Sequence, residues 1–237
     1  MDRIELVESS QPFLRYLEEW HSRIRDESLD ALIAGRPETV AVVCVDVIVG
    51  FCSEGPLASP RVNRIVAPIV RLFSALHERG VRHFILPQDA HAPDAVEFMS
   101  YPPHCIRGTR EAQTVPELLA LPFSDQFTII EKNALSAFID TALPDWVREH
   151  PEVTTYIVTG DCTDLCTYNL ALHLRMDANA RQLQRRVVLV EECVDTYDLP
   201  VDVAQQQGIR PHPGDFHHVV FLHHMEQNGV EIVRRLR

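Results

Sequence analysis

Six short apolar runs, separated by stretches with helical periodicity, constrain the fold of this chain more than any other feature. Residues 40–45 are apolar at every position and lead into Asp46. A run of that kind fits a strand buried on both faces, the environment of a parallel sheet covered by helices. Similar runs follow at 81–87, 127–130, 156–159, 186–190 and 218–222. Between them the pattern predicts a helix with Pro68 near its first position, Ile69, Leu72, Phe73 and Leu76 facing inward and Gly80 as its stop. Further helices are expected at 143–149, at 164–178 and, closing the chain, at 225–236. The expected class is α/β: three layers, with a mostly parallel six-stranded sheet and helices on both faces. It occupies residues 39–237, with no internal repeat and no second domain boundary. Residues 1–38 read as an N-terminal helical extension in which Phe13, Leu17, Trp20 and Ile24 share a face, to be packed on the domain or on a second subunit.

The chain has 237 residues and a formal charge of −12, so it offers little to nucleic acid or an anionic membrane. No run of about 18 apolar residues is present, and the charged start Met1 to Leu6 does not suit a secretory signal. A soluble cytoplasmic protein is expected, a homo-oligomer acting on a small molecule. The six cysteines show no repeating framework, which predicts free thiols. The spacing of Cys162 and Cys166 leaves a redox role open.

Chemistry gathers where the strands end. In an open parallel sheet, ligands bind at the carboxyl ends of the strands. Asp46 ends the first run, Asp89 follows the second, Lys132 the third, and Cys166 the turn Gly160-Asp161-Cys162-Thr163-Asp164-Leu165 after the fourth. Lys132 is the single lysine among 22 basic residues, a choice that matters where a compact ammonium is needed. Cys166 falls where a helix begins, and the helix dipole there lowers a thiol pKa. A thiol, an ammonium and a carboxylate at equivalent strand ends suggest acyl transfer to Cys166 followed by hydrolysis, with Asp46 moving the proton.

A second constellation lies in the long loop from residue 88 to about 116. Asp89 and His91 are two apart on an extended segment and point the same way. Glu97 and His104 can close round them into a nitrogen–oxygen ligand set suited to one divalent ion: zinc first, with manganese or iron as alternatives. The histidines at 212, 217, 218, 223 and 224 are irregularly spaced and read as surface or core residues rather than ligands. A non-enzymatic thiol or metal-binding protein using Cys162, Cys166 and this histidine-rich end is the alternative from a different class.

Four segments together resemble the isochorismatase-like cysteine hydrolases and, within them, the nicotinamidases. They are Val45-Asp46 with Phe51 and Gly55-Pro56-Leu57; Asp89-Ala90-His91 through Pro103-His104-Cys105-Ile106-Arg107-Gly108-Thr109; Lys132 with Ser136-Ala137-Phe138; and Gly160 through Cys166. The resemblance covers about residues 40–237. It implies a triad of Asp46, Lys132 and Cys166 and a metal held by Asp89, His91, Glu97 and His104. It also implies a cis peptide between Asp161 and Cys162, with the backbone N–H groups of Cys162 and Cys166 as an oxyanion hole, and Phe51 and Tyr101 as the sandwich for a pyridine ring. The activity implied is hydrolysis of nicotinamide to nicotinate and ammonia, or of another small amide or carbamoyl compound by a related amidase. Three departures stand out. The family's Asp-x-Gln-x-Asp-Phe reads Asp46-Val47-Ile48-Val49-Gly50-Phe51, Glu97 stands for a common histidine, and Tyr101 for a common tryptophan.

Overall fold

A computed structural model describes residues 5–237; the first four residues of the extension lie outside the described residues. Six strands form one sheet in the order β3-β2-β1-β4-β5-β6: β1 Val40–Val45, β2 His83–Asp89, β3 Phe127–Lys132, β4 Thr155–Asp161, β5 Arg186–Asp195 and β6 Glu231–Val233. Every pairing between them is parallel. The main helices are α1 Leu6–Ser22, α2 Val66–Glu78, α3 Leu143–Glu149, α4 Cys166–Ala180 and α5 Gly214–Gln227.

The alternation of side chains along β1 divides the core in two. Val40, Val42 and Cys44 pack with Ile69, Leu72, Phe73 and Leu76 of α2 on one face. Ala41, Val43 and Val45 meet the other face, where Leu143 of α3, Leu170 of α4 and Leu222 of α5 are buried. The chain leaves β1 for one face and β4 for the other, so the crevice between their carboxyl ends is the switch point of the sheet. Asp46 and Cys166 flank that crevice.

The C-terminal region differs from the expectation of a strand at 218–222 and a closing helix at 225–236. Residues 218–222 are not a strand but the middle of α5, and the last strand is β6, inside the stretch expected to be a closing helix. The run Val219-Val220-Phe221-Leu222 has strand-like composition, yet the buried positions Gly214, His218, Leu222 and Met225 are spaced four, four and three apart as a helix requires, with His223 buried beside them. Four of the five C-terminal histidines therefore lie on one helix, with His212 just before it.

The N-terminal extension packs on its own domain. Leu17 and Trp20 of α1 are buried, and Trp20 Nε1 donates to Glu226 Oε2 of α5 at 2.7 Å. Phe13, expected on the same inward face, is 46% exposed, and its ring touches His223 instead.

One glycine is required by the site. Gly160 in β4 has φ +112°, and a Cβ there would run into the backbone of Val45 on the adjacent β1. The close approach of these two strands sets the distance between Asp46 and the Cys166 turn. Gly160→Ala is expected to destabilise the fold by about 3 kcal/mol through combined strain and overlap. A urea midpoint equal to that of the unsubstituted protein would contradict this account.

Candidate active site

Lys132, the last residue of β3, is 1% exposed and lies between two carboxylates. Its ammonium donates to Asp89 Oδ1 at 2.5 Å and to the Ala134 carbonyl at 3.2 Å, and stands 2.8 Å from Asp46 Oδ2 as a charge contact. It also reaches Cys166 Sγ at 3.5 Å. Burial alone would pull the lysine down, but Asp46 and Asp89 outweigh it and hold the ammonium charged. Asp46 is tied from its other oxygen, where Oδ1 accepts the Asp89 N–H at 2.9 Å. Its backbone is left-handed, φ +59°, which turns the chain sharply at the end of β1. Reactive atoms of Asp46, Asp89 and Cys166 all lie within 4.8 Å of one another. The strand-end residues singled out by their chemistry thus meet in one buried cluster.

The charge balance of this cluster is unequal. With two carboxylates and one ammonium, one negative charge is in excess. Burial and the neighbouring Asp89 push Asp46 up to about 6. Burial also raises Asp89, but Lys132 and His91 overcome it and keep that carboxyl below its usual range. Of the two carboxyls, Asp46 is thus the one held closer to a proton and Asp89 the one held ionised.

The thiol departs from expectation. Cys166 opens α4 as anticipated and is 4% exposed. Its pKa moves well upward, however: burial raises it most, Lys132 lowers it, and Asp46 and Asp89 raise it again. A helix terminus seen alone favours a thiolate, whereas the folded site supplies two carboxylates and removes water. The folded site thus favours the neutral thiol over the thiolate, next to the Asp46 carboxyl. All six cysteines are free and buried.

Asp89 also belongs to a second group, formed with His91 and His104. Its Oδ2 stands 3.4 Å from His91 Nε2 and 3.9 Å from His104 Nε2. The opposite nitrogens are engaged: His91 Nδ1 faces Asn133 Oδ1 at 3.3 Å, and His104 Nδ1 faces the Pro102 carbonyl at 2.8 Å. These acceptors hold the hydrogen on Nδ1 and direct both Nε2 lone pairs inward, the arrangement typical of metal-ligating histidines. His91 Nε2 is buried with no hydrogen-bond partner, and an atom of that kind suits a cation. The donor set therefore fits a divalent metal. Glu97 stands at its edge, with Oε1 4.0 Å from His91 Nε2 but outside the mutual cluster.

Phe51 and Tyr101 both border His104, with ring centroids 5.6 and 6.2 Å away. Phe98, not anticipated, contacts both His91 and His104. Asn133 was also missed; it holds His91 and, through the same oxygen, the Ala92 N–H at 2.9 Å. Its one sequence signal was adjacency to Lys132. The peptide between Asp161 and Cys162 is cis, as the resemblance implied. The motif departure at Gly50 also has a physical basis, since a side chain there would collide with Cys105 Sγ and crowd Glu111. Glu111 Oε2 accepts the Cys105 N–H at 3.0 Å, next to His104.

If Asn133 orients His91, Asn133→Ala should weaken divalent metal binding about tenfold or more, measured by competition with a chelating dye. Unchanged affinity would show that His91 needs no such support.

Residues 40–234 match the isochorismatase domain. The chain is 31% identical to Nicotinamidase 1 of Arabidopsis thaliana over 226 residues, 87% of this chain and 90% of that one. The nicotinamidase of Bacillus subtilis superposes with a TM-score of 0.63 at 25% identity, covering 83% of this chain and 99% of that chain. The pyrazinamidase of Pyrococcus horikoshii, solved in complex with zinc, gives a TM-score of 0.64 at 22% identity, covering 82% and 98%; at that identity the likeness speaks for the fold. By the extent of the domain match and the arrangement of its strand ends, this chain belongs to the isochorismatase family of hydrolases.

Proposed function

We propose that this protein is a metal-dependent nicotinamidase, converting nicotinamide to nicotinate and ammonia through a thioester on Cys166. The observation that carries the reading is Asp89, which joins the Asp46–Lys132–Cys166 cluster to the Asp89–His91–His104 group in a chain similar to a nicotinamidase over most of its length. A divalent cation held by Asp89, His91 and His104, with Glu97 alongside, would supply a Lewis acid and a partner for a ring nitrogen; zinc is the first choice. Phe51 and Tyr101, on His104, are then the walls for a flat aromatic amide.

The steps follow from the groups present. Asp46 takes the thiol proton, and Lys132 offsets the charge of the resulting thiolate. Sulfur attacks the amide carbon, and the carbonyl oxygen becomes an oxyanion facing the backbone N–H groups of Cys162 and Cys166; the latter, at the first turn of α4, has no intrahelical acceptor. The carbon–nitrogen bond breaks, and the nitrogen leaves as ammonia with the proton from Asp46. Water then attacks the thioester, giving its proton to Asp46 and its oxygen to nicotinate, and the proton returns to sulfur. On this reading the enzyme serves cytoplasmic salvage of the pyridine ring of NAD.

Purified protein is expected to release ammonia from nicotinamide, and from pyrazinamide, faster than from linear amides. Chelation should abolish the activity and re-addition of zinc should restore it. Cys166→Ala should remove turnover while leaving the fold intact. Lys132→Arg should also fail, because the planar guanidinium is too large for the space between Asp46 and Asp89. Preference for a linear or carbamoyl substrate would replace nicotinamide as the substrate, and an active Cys166→Ala protein would overturn the mechanism.

A further inference from the structure

The turn that delivers Cys166 is held from behind by the C-terminal region. Thr163 is fully buried; its N–H donates to the Asp195 carbonyl at 3.0 Å, and its Oγ1 lies 2.8 Å from His218 Nδ1 on α5. The next residue has a parallel tie, with Asp164 Oδ2 2.8 Å from His212 Nε2. Within the turn, the Cys162 carbonyl accepts the N–H groups of Leu165 and Thr167 at 3.0 and 3.2 Å. These bonds tie the turn to the start of α4, so the place of Thr163 bears on that of both Cys162 and Cys166.

The far side of the His218 ring faces an anchored carboxylate. His218 Nε2 is 3.8 Å from Glu191 Oε1. Glu191 receives Arg234 on both oxygens at 2.9 Å and His21 of α1 at 3.0 Å. Burial raises this carboxyl, but His21, His218 and Arg234 together hold it well below its usual range, so it is ionised. Asp195 Oδ1 also stands 4.0 Å from His218 Nδ1, but it already accepts from Arg61 at 2.9 Å and from the Thr196 N–H at 2.8 Å, so the carboxylate opposite Nε2 decides the ring tautomer and puts the hydrogen on that nitrogen. The lone pair of Nδ1 is then free to accept the Thr163 hydroxyl hydrogen. His218 is 9% exposed and touches neither the Asp46–Lys132–Cys166 cluster nor the Asp89–His91–His104 group.

We propose that His218 is a positioning residue for the nucleophile turn, fixing Thr163 through Nδ1 while Glu191, held by Arg234 and by His21 of the N-terminal helix, sets the ring. The assignment rests on Cys166 being the nucleophile. It gives the N-terminal extension and part of the C-terminal histidine cluster a common role, the alignment of a thiol they never contact.

The test uses full-length protein carrying His218→Ala, His218→Asn, His218→Gln, Thr163→Val, or Thr163→Val with His218→Ala. Asparagine can place an oxygen where Nδ1 stood; glutamine places its amide nearer the Nε2 position. Three readouts are taken: kcat and KM for amide hydrolysis, the rate of iodoacetamide alkylation at Cys166 followed by peptide mass, and Tm. His218→Ala and Thr163→Val should each lower kcat about tenfold with KM within about twofold, since small misplacement of a reacting atom is costly. Alkylation of Cys166 should slow in parallel, as sulfur is drawn away from the Lys132 ammonium. The double variant should be no worse than either single one, because both remove the same contact. Asparagine should restore most of the rate and glutamine should not; that pair still decides the matter if the alanine variant fails to fold. Additive losses, equal rates for asparagine and glutamine, or unchanged alkylation would overturn the proposal. If the unsubstituted protein hydrolyses no amide, the functional reading fails, and the alkylation rates still judge the role of His218.

Discussion

A buried ammonium between two carboxylates organises this molecule. Lys132 can remain charged without water only because Asp46 and Asp89 flank it, and each of those carboxylates depends on it in turn. Removing one member of such a group leaves an uncompensated buried charge, which costs about 3–5 kcal/mol. The parallel sheet is what brings the three together: β1, β2 and β3 are adjacent, and their register pairs Asp89 directly with Lys132. Fold and chemistry therefore share one constraint, the alignment of neighbouring strand ends.

The charge left over by this arrangement shapes the rest of the site. One excess negative charge either binds a proton or is met by a cation, and the structure provides for both. Asp46 is lifted toward neutrality, and Asp89 turns its second oxygen toward two histidines whose Nε2 atoms face inward. On the proposed function, proton transfer and metal affinity would both draw on this one imbalance, with Asp89 as the link. The upward shift of the Cys166 thiol follows in part from it as well: beyond the cost of burial, a thiolate would add negative charge beside Asp46 and Asp89.

Much of this was legible in the chain because the informative residues sit at sequence-defined places. The continuous run 40–45 announced a doubly covered strand, and Asp46, Asp89, Lys132 and Cys166 followed from asking what stands at each strand end. What escaped depends on contacts between distant segments. Residues 218–222 have strand-like composition, and only packing against α1 and α4 reveals their helical period. Asn133 acquires its role from the rotation of the His91 ring, and the tie between Thr163 and His218 spans 55 positions with no motif to mark it. The acidity of Cys166 escapes the sequence because a local dipole can be read from it, whereas burial and the two carboxylates opposing that dipole cannot.

The central claim is that Cys166, activated by Asp46 and Lys132, carries the acyl group of the substrate. Acid quenching of the enzyme during turnover of nicotinamide, followed by peptide mass analysis, tests this directly. The account predicts a peptide containing Cys166 heavier by one nicotinoyl group, absent without substrate and absent in Asp46→Asn protein. Nicotinate formed while no such adduct appears on Cys166, or an adduct on another residue, would contradict it.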